Sequence, residues 1–411
     1  MRPRERKLKV ALERVLALSG LLLLPGIAEA DCPLPQTPPT GDNFYFCFDG
    51  SRISPQPIID GDKGPFIVVE VELDGHKLPA LLDTGAEVSI VDASIAKRIG
   101  LKASGSYGIT AMDGKQAPAQ KAPIGQLTIG GFIRKGGIVG IADLSATRSA
   151  AGQPFEMILG ADILLQVALF VDRDNLSLLV IPNSANAAGS TWVAPLRVQQ
   201  PGNLLMTNLS VDGHPITVEL DTGADGELML RDAKWAEIVS PTARTTTFVG
   251  ASAAGLRATP LVRLHDVRIG DKPTGDAIAT RVTNATATGQ SDGLLGMGLL
   301  SRYTLFLNPR AGVMVLTEPK KPVPPRRETL AGIQGMPTDQ GITILHVMAH
   351  SPADAAGLKA GDRICTIDGE TVSAAWAGPH KHDWMTGPEG KTVMLGRCGG
   401  GSVRLTLQRF Y

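Results

Sequence analysis

The sequence predicts a mainly β chain in which one lobe occurs twice and a smaller domain of different pattern comes after it. Three observations carry this. Only 4% of residues are aromatic while 47 are Gly and 29 are Pro, a mix that favours many short strands joined by turns. Two long segments repeat one another in register. A stretch rich in Pro, Lys and Arg from Glu318 to Leu330 then reads as a semi-rigid, solvated linker to a C-terminal domain. With 411 residues there is room for two to four domains, each with its own core.

The repeat is clearest from Asp74 to Ala86 and from Asp212 to Ala224, where Asp221 lies 138 residues after Asp83 and Asp212 lies 138 after Asp74. Each copy runs from an alternating apolar stretch (Phe66 to Leu73; Leu204 to Val211) through an Asp-Gly turn into a second apolar run that ends in Asp-Thr-Gly. That is a hairpin pattern. Further along, Thr128-Ile129-Gly130 is echoed by Arg268-Ile269-Gly270, and Ile158-Leu159-Gly160 by Leu294-Leu295-Gly296. Similar tails close each copy: Leu169 to Asp172 with Leu176 to Ile181, and Leu305 to Asn308 with Val313 to Leu316. Two copies of this length describe a duplicated domain, not a solenoid. The expected lobes are 63–185 and 190–317, followed by the linker 318–330 and a C-terminal domain 331–411.

At the start, Arg2, Arg4, Arg6, Lys7 and Lys9 precede an apolar stretch from Val15 to Leu24 and the small-residue site Ala28-Glu29-Ala30. This pattern predicts a secretory signal peptide over 1–30, with 31–62 as an N-terminal segment of the mature chain. The apolar stretch is shorter than the roughly 20 residues that span a bilayer, so no membrane span is expected after cleavage, and the periplasm or cell exterior is the expected location. Export makes disulfides Cys32–Cys47 and Cys365–Cys398 the natural reading of four cysteines in two local pairs, although three pairings are open. No CxxC spacing supports a metal. Basic and acidic residues balance at 40 each, which removes the phosphate attraction of a nucleic-acid binder.

The paired Asp-Thr-Gly segments carry the chemistry. Two carboxylates held close cannot both ionise readily, so they share one proton. The ionised member can take a proton from water while the protonated one hydrogen-bonds a substrate carbonyl, and the roles reverse as the intermediate collapses. Asp83 and Asp221 are therefore the expected catalytic pair. Gly85 and Gly223 let backbone approach the carboxylates, and the Thr84 and Thr222 hydroxyls can bond across the interface between lobes. A single Asp-Thr-Gly would be read as a turn; two in matched register are not.

Leu82-Asp83-Thr84-Gly85-Ala86-Glu87 and Leu220-Asp221-Thr222-Gly223-Ala224-Asp225 resemble the active-site loops of retropepsin-like aspartic proteases. Ile158, Leu159 and Gly160, with Leu294, Leu295 and Gly296, resemble that family's second signature, threaded behind the catalytic loop. The resemblance covers about 63–317. It implies two tandem closed β lobes forming a bilobal protease, one aspartate per lobe, an extended polypeptide substrate in the cleft, and a β-hairpin flap. With both lobes in one chain, a monomer should be competent. Ala86 and Ala224 after the motif look retroviral, which implies activity nearer neutrality than in pepsin. By position the flaps are Ala111 to Gly114 and Phe248 to Ala251.

No cofactor and no metal are expected. His346 and His350 are four apart in a strand-like pattern and would not share a helical face, and His380 and His382 sit in a loop rich in Gly, Pro and Trp. Asp162, Asp172, Asp174 and Asp292 read as turn and solvated residues.

In the last domain, Ser351-Pro352-Ala353, Ala356-Gly357-Leu358, Gly361-Asp362 and Ile367-Asp368-Gly369, ending in the alternating strand Val403 to Leu407, look like a PDZ domain of the bacterial protease-associated kind. The resemblance implies a short helix closed by Ala356 to Leu358 and a groove that accepts a peptide by strand addition. The segment where a carboxylate-binding loop belongs, Gly332 to Gly341, lacks the family's glycine-rich form. The reading these features favour is an exported aspartic endopeptidase whose PDZ domain binds substrate or partner peptides; the alternatives are a non-catalytic peptide-binding scaffold that retains the cleft and, third, self-processing at the linker or at 31–62.

Overall fold

The computed structural model describes residues 43–60, 64–110, 116–185, 192–252, 255–282, 291–321, 328–373 and 384–411. The stretch 1–30 read as a signal peptide, Cys32, the flap candidate Ala111 to Gly114, and His380 and His382 lie outside the described residues. Contacts divide the chain into two units: Met1–Lys234 with Leu264–Ala277 and Thr283–Pro322, and Trp235–Arg263 with Ile278–Val282 and Val323–Tyr411.

The first unit holds both copies of the repeat. In the first, Val68–Leu73 and His76–Leu82 form an antiparallel hairpin. Asp74 and Gly75 both take positive φ at its turn, as a two-residue loop between right-twisted strands requires. The second copy repeats this with Leu204–Val211, His214–Asp221 and positive φ at Asp212 and Gly213. Behind each second strand runs a parallel partner, Met157–Leu159 in one copy and Gly293–Gly296 in the other. That partner also pairs antiparallel with Ile90–Asp92 or Leu228–Arg231.

The closing tails do not stay within their own lobes. Ala168–Asp172 pairs antiparallel with Thr304–Asn308, setting Leu169 opposite Leu307 and Phe170 opposite Phe306. Ser177–Ile181 lines the outer side of the first and Val313–Thr317 that of the second. The two copies thus share one sheet, which continues through Val313–Thr317 to Val193–Gln199. Nearly every residue of its central strands is buried, as expected for strands apolar on both faces.

Three of the four aspartates read as turn or solvated residues do more. Asp162 pairs with buried Arg134 at 2.7 Å and accepts from the Ser89 hydroxyl, while Asp292 accepts from the Thr217 amide and faces Lys234 at 3.6 Å. Asp172 caps its own turn by accepting from the amides of Asp174 and Asn175. Asp174 accepts from the amides of Lys320 and Lys321, so the first part of the linker is tied down.

The second unit joins the C-terminal domain to a hairpin from the second copy. The domain is a sheet in the order Ile333–Thr338, Gly341–Val347, Arg363–Ile367, Thr392–Arg397, Ser402–Thr406. Its core includes Ile342, Ile344, Leu358, Ile364, Trp384, Val393 and Leu405. A short helix, Pro352–Ala355, is capped by the Ser351 hydroxyl, which accepts from the Asp354 amide, and ends at Ala356 with Gly357 at positive φ. Cys365 and Cys398 are joined by a disulfide. Cys47 is also disulfide-bonded. Gly332 to Gly341, the position of a carboxylate-binding loop in the family pattern, is instead the strand Ile333–Thr338 and a tight turn at Asp339 and Gln340.

The hairpin strand Thr245–Ser252, which carries the flap candidate Phe248 to Ala251, pairs with the start of Gly255–Ile269. Its other side is bonded to the C-terminal domain. The Gln334 side chain accepts from the Val249 amide at 2.7 Å and donates to the Val249 carbonyl at 3.0 Å, an amide standing in for a neighbouring strand. The Thr246 hydroxyl donates to the Ala349 carbonyl, the Ala349 amide donates to the Thr247 hydroxyl, and that hydroxyl also bonds His346 Nε2. Thus His346 serves the contact with the hairpin. Two hydrogen bonds at about 1 kcal/mol each predict that Gln334→Ala speeds hydrogen exchange at the Val249 amide by roughly tenfold or more. Exchange at core amides such as Ile364 should be unchanged, and an unchanged Val249 rate would show that the pairing contributes nothing.

Candidate active site

Each Asp-Thr-Gly loop begins where the second strand of its hairpin ends. Asp83 donates its amide to the Leu159 carbonyl, and Asp221 lies opposite Gly296 in the parallel ladder, so the second signature holds each aspartate from behind. Gly160 and Gly296 are required there. A Cβ at Gly160 would lie 2.7 Å from the Ala86 carbonyl oxygen, and one at Gly296 would lie 2.9 Å from that of Ala224. Both glycines pack directly against the backbone of the loop they support.

The two loops lock to each other through their threonines, both buried. The Thr84 hydroxyl donates to the Leu220 carbonyl at 2.6 Å and accepts from the Thr222 amide at 3.0 Å; the Thr222 hydroxyl donates to the Leu82 carbonyl at 2.8 Å and accepts from the Thr84 amide at 3.0 Å. Every polar group in this lattice has a partner, which a buried lattice needs.

The lattice sets the carboxyl groups face to face. A Cβ added to Gly85 would fall 2.7 Å from Asp221 Cγ, and one added to Gly223 would overlap the carboxyl of Asp83. Asp83 Oδ1 accepts from the amides of Gly85 and Ala86 at 2.9 and 3.1 Å, and Asp221 Oδ1 accepts from Gly223 at 2.8 Å. The two carboxyls are close enough to share a proton in a hydrogen bond. Burial pushes the Asp83 carboxyl above the usual range. Burial, and next the charge of Asp83, push Asp221 well above it. The pair titrates as a unit.

One neighbour was not anticipated. Glu219 is buried, with 6% of its surface exposed, and its carboxyl is pushed up to about 7 by burial first, then by Asp221, against the opposing pull of Arg231. The signal lay in the repeat: the 138-residue offset aligns Glu219 with apolar Leu81. A carboxyl at about 7 in the folded chain and near its ordinary 4.5 when unfolded binds its proton more tightly in the folded state. Its favourable contribution is therefore complete below about pH 4.5 and lost as pH rises through about 7. Glu219→Gln should leave stability unchanged at pH 4 and raise it by about 3 kcal/mol at pH 8, read from chemical denaturation at both values. An equal effect at both would refute the linkage.

Among the described residues no group of three or more His, Cys, Asp or Glu side chains is placed to hold a metal.

The sequence matches the Aspartyl protease family over residues 69–163 and again over 207–299, and the PDZ domain family over 324–391. The chain carries two aspartyl protease domains and a PDZ domain. The first match opens in Val68–Leu73 and closes in the helix Ala161–Leu164 after the second signature; the second opens in Leu204–Val211 and closes in Met297–Leu300. The PDZ sheet itself continues past the matched segment, through Thr392–Arg397 and Ser402–Thr406. No curated protein matches the chain. Among solved structures, Basic 7S globulin from soybean aligns at 10% identity and a TM-score of 0.34, over 67% of this chain and 95% of that one. Among the described residues no helix is long and apolar enough to cross a membrane.

Proposed function

We propose that this protein is an exported aspartic endopeptidase in which Asp83 and Asp221 activate one water between them. The observation that supports this most directly is the reciprocal fit of Gly85 to the Asp221 carboxyl and of Gly223 to the Asp83 carboxyl. Buried Asp221 and partly buried Asp83 are brought together at a position where any side chain on the facing loop would keep them apart. Two carboxyls facing each other, both pushed upward, hold one proton between them over a range shifted upward from an ordinary carboxyl. In the resting arrangement one carboxyl of the pair holds the proton and the other is the base. The base takes a proton from water as the water oxygen attacks the peptide carbonyl carbon, and the protonated partner donates a hydrogen bond to the carbonyl oxygen. As the tetrahedral intermediate collapses, the proton taken from water passes to the leaving nitrogen.

Export agrees with the Cys365–Cys398 disulfide, which belongs to an oxidising compartment. The PDZ domain is read as a peptide-binding module for substrates or partners. The test is hydrolysis of an unstructured protein by the full chain across pH, with and without a statine-type mimic of the tetrahedral intermediate. Cleavage that the mimic suppresses supports the endopeptidase; no cleavage at any pH by a chain that folds would leave the peptide-binding scaffold.

A further inference from the structure

Glu219 occupies a position that the first copy of the repeat fills with an apolar side chain. In that copy the row across four strands is Val68, Leu81, Ile158, Ile90, and all four belong to one buried apolar cluster. The equivalent row in the second copy is Met206, Glu219, Leu294, Met229. Only the Leu81 position has changed class. Side chains two apart on a strand point to the same face, so Glu219 shares its face with Asp221.

Among the described residues the charged groups around it are few. Asp221 follows on the same strand, and the charge of Glu219 is felt at Asp83 on the facing loop. From Leu228–Arg231 comes Arg231, whose half-buried guanidinium is divided between Glu219 and Asp292; Asp292 in turn faces Lys234. The strands on either side contribute uncharged Met206 and Leu294. Two residues back on the same face of the strand lies Thr217, bonded to Asn208 and to the Arg197 guanidinium. Among the described residues the cation acting directly on Glu219 is Arg231, which is thus shared with Asp292, and an ionised Glu219 pushes the Asp83 carboxyl upward.

We propose that Glu219 is a positioning residue for the dyad: a third acid, on the Asp221 face of its strand, whose negative charge retains the shared proton on Asp83 and Asp221 as pH rises. This rests on the reading of the pair as the hydrolytic dyad. An ionised neighbour opposes the loss of the second dyad proton and so extends the singly protonated, working form toward higher pH. At low pH Glu219 is neutral and has no such effect. The acid limb of the rate profile should therefore be insensitive to it and the alkaline limb sensitive.

Two measurements on the full chain test this, each with Glu219→Gln beside the parent. The first is the pH profile of kcat/KM on an unstructured protein substrate. The second is titration of aspartate carboxyl carbons by ¹³C NMR, which needs no turnover. The expected result is that the alkaline limb and the upper titration of the dyad both move down by about one pH unit, with the acid limb unmoved. Superimposable profiles, or a loss uniform across pH as a merely structural role would give, overturn the proposal. If the parent does not hydrolyse protein, the reading of the dyad fails by itself, and the titration still decides Glu219: an unmoved dyad titration overturns it. Should Glu219→Gln not fold, Glu219→Leu takes its place, because it restores the apolar row of the first copy.

Discussion

Asp83→Asn and Asp221→Asn are each expected to lower the rate of peptide hydrolysis on the order of 10⁴-fold, with the fold intact. The size follows from the chemistry: an amide cannot take up the water's proton, and a proton-sharing pair has no half-active state, so either change removes the unit. The intact fold follows from the electrostatics. Both carboxyls face each other and are pushed upward, so ionising both is a burden on the native state, and replacing one by a neutral isostere relieves it at neutral pH. The variants should melt no lower than the parent at pH 7. Loss of activity together with a lower melting temperature would point to a structural role for the aspartates, and full activity in either variant would remove the dyad from the mechanism.

Thr84→Val should lower stability by about 4 kcal/mol. It keeps the shape of the side chain but leaves the Thr222 amide without its acceptor and the Leu220 carbonyl without its donor, both buried, and each orphaned group costs about 1–3 kcal/mol. Thr222→Val should act alike through the Thr84 amide and the Leu82 carbonyl. Because the two hydroxyls belong to one lattice, the double variant should lose less than the two single losses combined. Thr84→Ser, which keeps the hydroxyl, should recover most of the stability in chemical denaturation. A Val variant within about 1 kcal/mol of the parent would mean that the lattice holds geometry without contributing net stability.

The elements that sequence reasoning located were those written in short stretches. Asp-Gly turns between alternating runs fixed both hairpins, and the constant offset between Asp83 and Asp221 predicted that the two loops are built alike. The contact between the loops was legible for the same reason, because a threonine after each aspartate leaves a symmetric pair few partners other than itself. The features that escaped notice depend on distant strands. Nothing near Leu169 says that its neighbour is Leu307, since a tail apolar on both faces fits equally well in its own lobe or across to the other. Gln334 beside Val249 was invisible because a side-chain amide imitating a strand leaves no periodic trace. Glu219 is legible only when the copies are aligned residue by residue, which places a carboxyl on a leucine position two residues before an aspartate.

The sheet shared by the two copies bears on how the chain is made. Leu169 meets Leu307 across 138 residues, so the contact order of this central element is high, and its strands can pair only late in folding. During synthesis the first half emerges with Leu169-Phe170-Val171 as a bare apolar edge whose partner has not yet been translated. Such edges invite pairing with other chains. A truncated first half would therefore be prone to self-association through that edge, and joining both halves in one polypeptide replaces a search between molecules by the closure of a single long loop, whose entropy grows only slowly with its length.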